Sequence, residues 1–148
     1  MNTAEKESDD DRRISIICFS LTGKETAQKL KEGLEKCGYH TELYKKSRYL
    51  EDSIAESTAD WTAEHFHRED GLIFVGACGI AVRSIAPQVA SKKSDPAVLV
   101  VDECGQFVIS LLSGHLGGAN ELSLKAAQIL GAQPVVTTAT DLHKRFAV

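Results

Sequence analysis

The chain has no C-x-x-C pair, no surplus of basic residues, and no uninterrupted apolar run near the roughly 20 residues that a membrane helix needs. Each absence removes a class of function. Cys18, Cys37, Cys78 and Cys104 stand far apart, which argues against a zinc site and against a thioredoxin-like motif. Three of them adjoin apolar runs and are expected to pack there. Seventeen Lys and Arg against 21 Asp and Glu give a net charge of -4, whereas broad nucleic-acid binding needs concentrated basic charge. The first residues, Met1 to Arg13, are acidic and polar rather than basic then apolar, so no secretory signal is expected. They read as a disordered leader (1–13) ahead of a single domain (14–148) in a reducing cytoplasm, with a small ligand as the expected partner. A chain of 148 residues can bury about 68 to 70% of its unfolded surface, so neither metal nor disulfide is needed for a core.

What is present is organised around S-G-H-L-G-G-A-N-E, Ser113 to Glu121. The β-branched and aliphatic run Phe107 to Leu112 feeds into it. A helix leaves it, with Leu122, Ala126, Ile129 and Leu130 at i, i+4, i+7 and i+8. Gly114, Gly117 and Gly118 therefore sit at a strand-to-helix junction, where a ligand can approach the main chain and first-turn N–H groups lack intrahelical partners. Such a junction favours anions or oxyanions. A plain tight turn is the alternative, and His115 and Glu121 weigh toward ligand binding.

The remaining chain alternates strand and helix signals. Ile14 to Ser20 suits a strand buried on both faces, followed by a helix with Thr22 as N-cap, Glu25 closing a capping box, and Gly38 ending it. Gly23-Lys24 is not a phosphate loop, because Cys18 stands where the Walker pattern needs its first glycine and Glu25 where it needs Ser or Thr. Tyr39 to Tyr44 alternates as a second strand, and Asp60 is placed to cap a short helix through Trp61 and Phe66. His65 and His67, two apart, cannot share a metal from one helix face and are read as solvent-facing.

Leu72 to Val75, then Gly76 to Gly79, then Ile80 to Ala86 form a second strand, glycine turn and helix. That is the placement of a ligand crevice at the carboxyl ends of parallel strands. The G-x-x-G lacks the full dinucleotide-binding spacing. Arg83, one turn into the helix, can hold a carboxylate bidentately or serve a surface ion pair. Ala97 to Val101 and Phe107 to Leu112 read as a hairpin bent at Gly105, which makes the sheet mixed. Asp102 and Glu103 in its loop are candidates for acid and base, although loop carboxylates are usually just exposed. Gly131 stops the last helix, and Pro134 to Thr137 starts a strand whose Thr137, Thr138, Thr140 and Asp141 would face the same crevice if it ran parallel to the first strands. The fold expected is an open three-layer α/β/α domain with a mainly parallel sheet and one hairpin.

Several blocks together, G-A-C-G-I-A-V-R at Gly76 to Arg83, D-P-A-V from Asp95, V-D-E from Val101, F-V-I-S-L-L-S-G-H-L-G-G-A-N-E at Phe107 to Glu121 and P-V-V-T-T-A-T-D at Pro134 to Asp141, resemble the amino-terminal region of the cobalamin-biosynthesis protein CbiG family. They cover about half the chain in order and spacing. Before Leu72 the likeness is one of general layout. The resemblance implies cobalt-precorrin-5A hydrolase activity in the anaerobic corrin pathway: a lactone is opened, acetaldehyde is released and cobalt-precorrin-5B results. The substrate is a carboxylate-fringed tetrapyrrole that carries its own cobalt, so neither a further cofactor nor a metal site is expected. Gly76, Gly79, Arg83, Lys93, Ser113, Gly114, Gly117, Gly118, Asn120, Thr137 and Thr138 would then bind it. His115 would activate water, with Glu121 or Asp141 orienting it or acting instead, and the amides of Gly117 and Gly118 would hold the oxyanion. Family members continue into further regions beyond the point where this chain stops, so it is read as a fragment or a separately encoded domain. The competing expectations are a non-catalytic tetrapyrrole- or anion-binding domain and a purely structural dimerisation domain. Neither nucleic acid nor membrane is an expected partner, which leaves room for a homodimer and for other corrin-pathway enzymes.

Overall fold

A computed structural model describes residues 12–112 and 118–137. Among these residues six strands form one sheet: β1 (Arg13–Cys18), β2 (His40–Lys45), β3 (Gly71–Val75), β4 (Ala97–Val101), β5 (Phe107–Leu112) and β6 (Gln133–Val135). Four helices connect them: α1 (Leu21–Lys36), α2 (Thr58–His65), α3 (Cys78–Ile85, continued by a 3-10 turn at Ala86–Gln88) and α4 (Gly118–Leu130). The strand order is β2-β1-β3-β4-β5-β6. β1 runs parallel to β2 and β3, and β3 to β4. The hairpin reverses β5 against β4, and β6 pairs parallel to β5. The last two strands therefore point opposite to the first four.

Both faces of the central strands are apolar because both are covered. Ile14, Ile16, Cys18, Ile73, Val75, Leu99 and Val101 meet Ala27, Leu30 and Leu34 of α1 and Leu122 and Ala126 of α4. Ile17, Leu72, Phe74, Val98 and Val100 meet Trp61, Phe66, Ala81 and Ile85 on the α2–α3 side. Two layers of helix around a buried parallel sheet give the α/β/α arrangement.

Local details correct several expectations. The cap of α1 is Ser20, not Thr22. β1 ends at Cys18 and the chain turns at once, so Ser20 is the extended residue whose Oγ accepts from Gly23 N at 2.9 Å. Ser57, not Asp60, caps α2, accepting from Asp60 N at 3.0 Å. α3 starts at Cys78, two residues before the apolar pattern begins. Of the cysteines only Cys18 is buried, while Cys37, Cys78 and Cys104 fall at helix ends or in a loop and are exposed. His65 is buried, not solvent-facing: its ring lies 4.8 Å from that of Trp61 and 4.9 Å from that of Tyr44, and its Nδ1 is 3.0 Å from Glu69 Oε2. Gly38 and Gly105 do take the positive φ, 99° and 71°, that their places after α1 and in the hairpin require.

Candidate functional site

The two glycine-bearing junctions lie at opposite ends of the sheet. At the carboxyl ends of β1 and β3 the chain leaves β1 for α1 on one face and β3 for α3 on the other, a topological switch point of the kind where open α/β sheets bind ligands. Gly76 lets the chain pass close there: a Cβ would stand 3.0 Å from the Phe19 ring. Its N–H is already used, donating to Val101 O at 2.8 Å, so it does not face a ligand. The next turn differs. Ala77 caps α3 without a side-chain acceptor, which leaves the first-turn amides of Cys78 and Gly79 open to solvent or ligand. Arg83 Nη1 lies 3.1 Å from where a Gly79 Cβ would be, so an exposed guanidinium spreads over an uncapped helix start. A carboxylate fits both donors.

The carboxylates beside this turn serve the fold. Asp102 Oδ1 accepts from Gln106 N at 2.8 Å and Phe107 N at 2.6 Å, closing the hairpin. Glu103 Oε1 accepts from Ser20 Oγ at 2.9 Å, and its main-chain oxygen from Thr26 Oγ1 at 2.6 Å, tying the hairpin to α1.

The second junction opens at the other end. Leu112 pairs with Val98, near the start of β4, and α4 begins at Gly118. Asn120 Oδ1 accepts from Ser110 Oγ at 3.0 Å, anchoring the helix to β5. Glu121, with a side chain 56% exposed, accepts from Arg12 Nη1 at 3.2 Å. A Cβ on Gly118 would meet nothing within 4 Å, so packing does not demand glycine there. Lys93 is exposed in the loop before β4, which Asp95 shapes by accepting from Ala90 N at 2.9 Å and Ser91 N at 3.1 Å. Thr137 follows β6 and is exposed. Ser113, Gly114, His115, Gly117, Thr138 and Asp141 lie outside the described residues.

Lys93, Gly118, Asn120, Glu121 and Thr137 thus share the end where β1, β3 and β4 begin, and Gly76, Gly79 and Arg83 the end where they finish. A five-residue strand separates the ends by roughly 15 Å. The single crevice expected from sequence is corrected by the strand directions, since β6 is antiparallel to β1, β3 and β4.

Sequence reasoning missed one polar cluster. Glu69, 4% exposed in its side chain, accepts from Ser15 Oγ at 2.9 Å and Arg13 Nε at 3.3 Å and pairs with His65 Nδ1. Burial pushes its carboxyl pKa up, but the hydrogen bonds from His65, Ser15 and Arg13 outweigh it and hold the group below the usual range. The i, i+4 spacing of His65 and Glu69 was the available signal. Among the described residues no group of three His, Cys, Asp or Glu is arranged to hold a metal ion, and no helix is long and apolar enough to cross a membrane.

Residues 60–141 match the family described as Cobalamin synthesis G N-terminal. Over 148 residues the chain is 43% identical to the cobalt-precorrin-5A hydrolase of Salmonella typhimurium, covering 100% of this chain and 40% of that protein. It is 38% identical over 138 residues to the hydrolase of that name from Priestia megaterium, covering 90% and 37%. A cobalamin biosynthesis protein G homolog from Sulfolobus solfataricus has a solved structure that superposes with a TM-score of 0.69 at 26% identity, over 89% of this chain and 39% of that one. The chain spans about two fifths of the length of the relatives it matches.

Proposed function

The chain belongs to the cobalamin synthesis G N-terminal family, and from that premise we propose that it is the amino-terminal domain of a cobalt-precorrin-5A hydrolase. The observation that carries the reading is 43% identity to a protein of that name along every residue of this chain. The reaction adds water to a lactone carbonyl, breaking its C–O bond to a carboxylate and an alcohol. Loss of the alcohol proton then forms the aldehyde C=O as the adjoining C–C bond breaks, its electron pair passing to the macrocycle, so that acetaldehyde leaves and cobalt-precorrin-5B results. The cobalt arrives within the tetrapyrrole, so the protein's tasks are to bind carboxylates, activate water, stabilise an oxyanion and take the proton from the alcohol whose C–C bond then breaks.

The chemistry is assigned to the α4 end. His115, with an unperturbed pKa of about 6.5, is the proposed base, and Glu121 or Asp141 its partner or substitute. The amides of Gly117 and Gly118 are the proposed oxyanion donors, and Ser113, Gly114, Lys93, Asn120, Thr137 and Thr138 the proposed substrate contacts. What supports this grouping is that Lys93, Gly118, Asn120, Glu121 and Thr137 share one end of the sheet. The uncapped start of α3 with Arg83 becomes a separate carboxylate contact, and Gly76 a steric allowance for Phe19.

Acetaldehyde release from cobalt-precorrin-5A, followed with a coupled dehydrogenase in a full-length protein carrying this domain, tests the assignment. His115→Ala and Glu121→Ala are expected to lower kcat by roughly 10²-fold or more, and Arg83→Ala to raise KM with kcat kept. Full turnover in both His115→Ala and Glu121→Ala sinks the proposed base. Because the chain spans 40% of its relative, a second reading holds that it binds the macrocycle and leaves catalysis to the remainder. Tetrapyrrole binding by the 148-residue chain without acetaldehyde would select that reading.

A further inference from the structure

Among the described residues, the α2–α3 layer covers the last two strands only in part. α4 covers one side of β5 and β6: Val108 is buried in the α1–α4 cluster, and Ser110 bonds Asn120. Among the described residues, α4 is the helix with extensive contact on these strands. The opposite side carries Phe107, Ile109, Leu111 and Leu112 of β5, the last two both on that side because the register slips at Val98/Leu99, with Val135 of β6 beside Ile109. Phe107 is 47% exposed, and the other four are only partly buried.

A strand with one face in water alternates apolar and polar residues, and apolar side chains on both faces mark a strand covered on both. β5 breaks the alternation in the telling direction. Its polar residue, Ser110, faces α4, while its other side, only partly buried, is entirely apolar. The strip also lies at the edge of the sheet: among the described residues, β6 is a three-residue strand whose one neighbour is β5.

We propose that this strip is the docking surface for the polypeptide that the longer relatives carry beyond the region matched here. Two observations choose that occupant. The relatives are some two and a half times the length of this chain, since it spans 40% and 37% of them. β6, whose Val135 lies on the strip, is the last strand among the described residues, so the polypeptide that follows it starts beside the strip. A following region would then complete the third layer over β5 and β6 and bury the apolar side chains left partly exposed there. The inference rests on family membership and lengths, not on the hydrolytic reading.

The test is cysteine labelling with maleimide, resolved by peptide mass spectrometry and run without substrate. Phe107→Cys is made in the 148-residue chain, and a cysteine is placed at the aligned position of the full-length Salmonella typhimurium relative. Leu124→Cys, on the outer side of α4 at 55% exposure, and its counterpart are the controls. The position of Phe107 is expected to label at least about tenfold more slowly in the full-length protein, and that of Leu124 at the same rate in both. Equal rates at Phe107 overturn the proposal, as does protection at Leu124 of the same size. Protection at Phe107 in the 148-residue chain that grows with protein concentration also overturns it, because a second copy is then the occupant. None of these results depends on turnover, so a failed hydrolase assignment leaves them readable.

Discussion

Replacing Glu69 by Gln tests whether the buried polar cluster between β1 and α2 stabilises through its charge. The carboxylate receives Ser15 Oγ at 2.9 Å and lies 3.0 Å from His65 Nδ1, both inside the domain, and Arg13 Nε at 3.3 Å from a side chain that is 60% exposed. Hydrogen bonds to a charged acceptor contribute about 1.5–3 kcal/mol and neutral ones about 0.5–1.5, so neutralising the acceptor loses about 1 kcal/mol for each buried bond. Arg13 adds little because solvent screens it. The expected cost is about 2 kcal/mol at pH 7, read as a fall in Tm of about 4–8 °C for a chain of this size. The pH dependence follows from the lowered pKa of Glu69. A folded-state pKa below the unfolded value of about 4.3 contributes stability that is fully present above that value and is lost as pH falls through the folded pKa. Urea unfolding of both proteins between pH 7 and pH 3 should therefore show the gap between wild type and Glu69→Gln closing as acid protonates the carboxylate. A gap that stays constant across that range refutes the assignment of the stabilisation to charge.

Three further outcomes follow from geometry. A Cβ at Gly33 would stand 2.4 Å from Ile129 Cγ2, so Gly33→Ala should destabilise by about 1–3 kcal/mol rather than gain the roughly 1 kcal/mol of helix propensity; chemical denaturation of Gly33→Ala with and without Ile129→Ala checks it, the pair recovering part of the loss. Ser20→Ala should cost about 1–2 kcal/mol by the same measurement, through the α1 cap and the bond to Glu103, and Thr22→Ala less than about 0.5. Burial pushes the Cys18 thiol up, so iodoacetamide at pH 8 should modify Cys37, Cys78 and Cys104 while leaving Cys18 unlabelled until the chain unfolds.

Strands and layers were legible because burial writes itself into composition. Ala97 to Val101 carries the continuous apolar signature of a strand covered on both faces and Phe107 to Leu112 a mostly apolar one, and their bounds agree with the structure to the residue. Gly38 and Gly105 were legible because few other residues take positive φ there. Caps were not, since the choice between Ser20 and Thr22 depends on where β1 releases the chain. His65 was misplaced for a related reason. Its burial comes from Tyr44 on β2 as well as from Trp61, and Glu69, though four residues on, lies in a loop beyond the end of α2, so the spacing alone was available to pair them.

Strand direction is what hydrophobic patterning cannot carry, and the site depended on it. An apolar run reads the same whichever way it lies in a sheet, so the junctions after β3 and after β5 look alike on paper. The hairpin at Asp102–Gln106 decides between them: by turning β5 back, it puts the end of β5 beside the beginning of β4, and β6 follows β5. One connection of five residues therefore separates Arg83 from Glu121 across the length of the sheet. On the proposed assignment a macrocycle at the α4 end would meet the Lys93 loop and Thr137, whereas Arg83 would be a separate carboxylate contact at the switch point. Loss of both contacts should then add independently in binding free energy, because sites this far apart share no neighbours. A double-mutant cycle on tetrapyrrole affinity with Arg83→Ala and Lys93→Ala is expected to show coupling below about 0.5 kcal/mol. Coupling well above that would mean that one carboxylate is held by both residues, which two ends of a sheet cannot do.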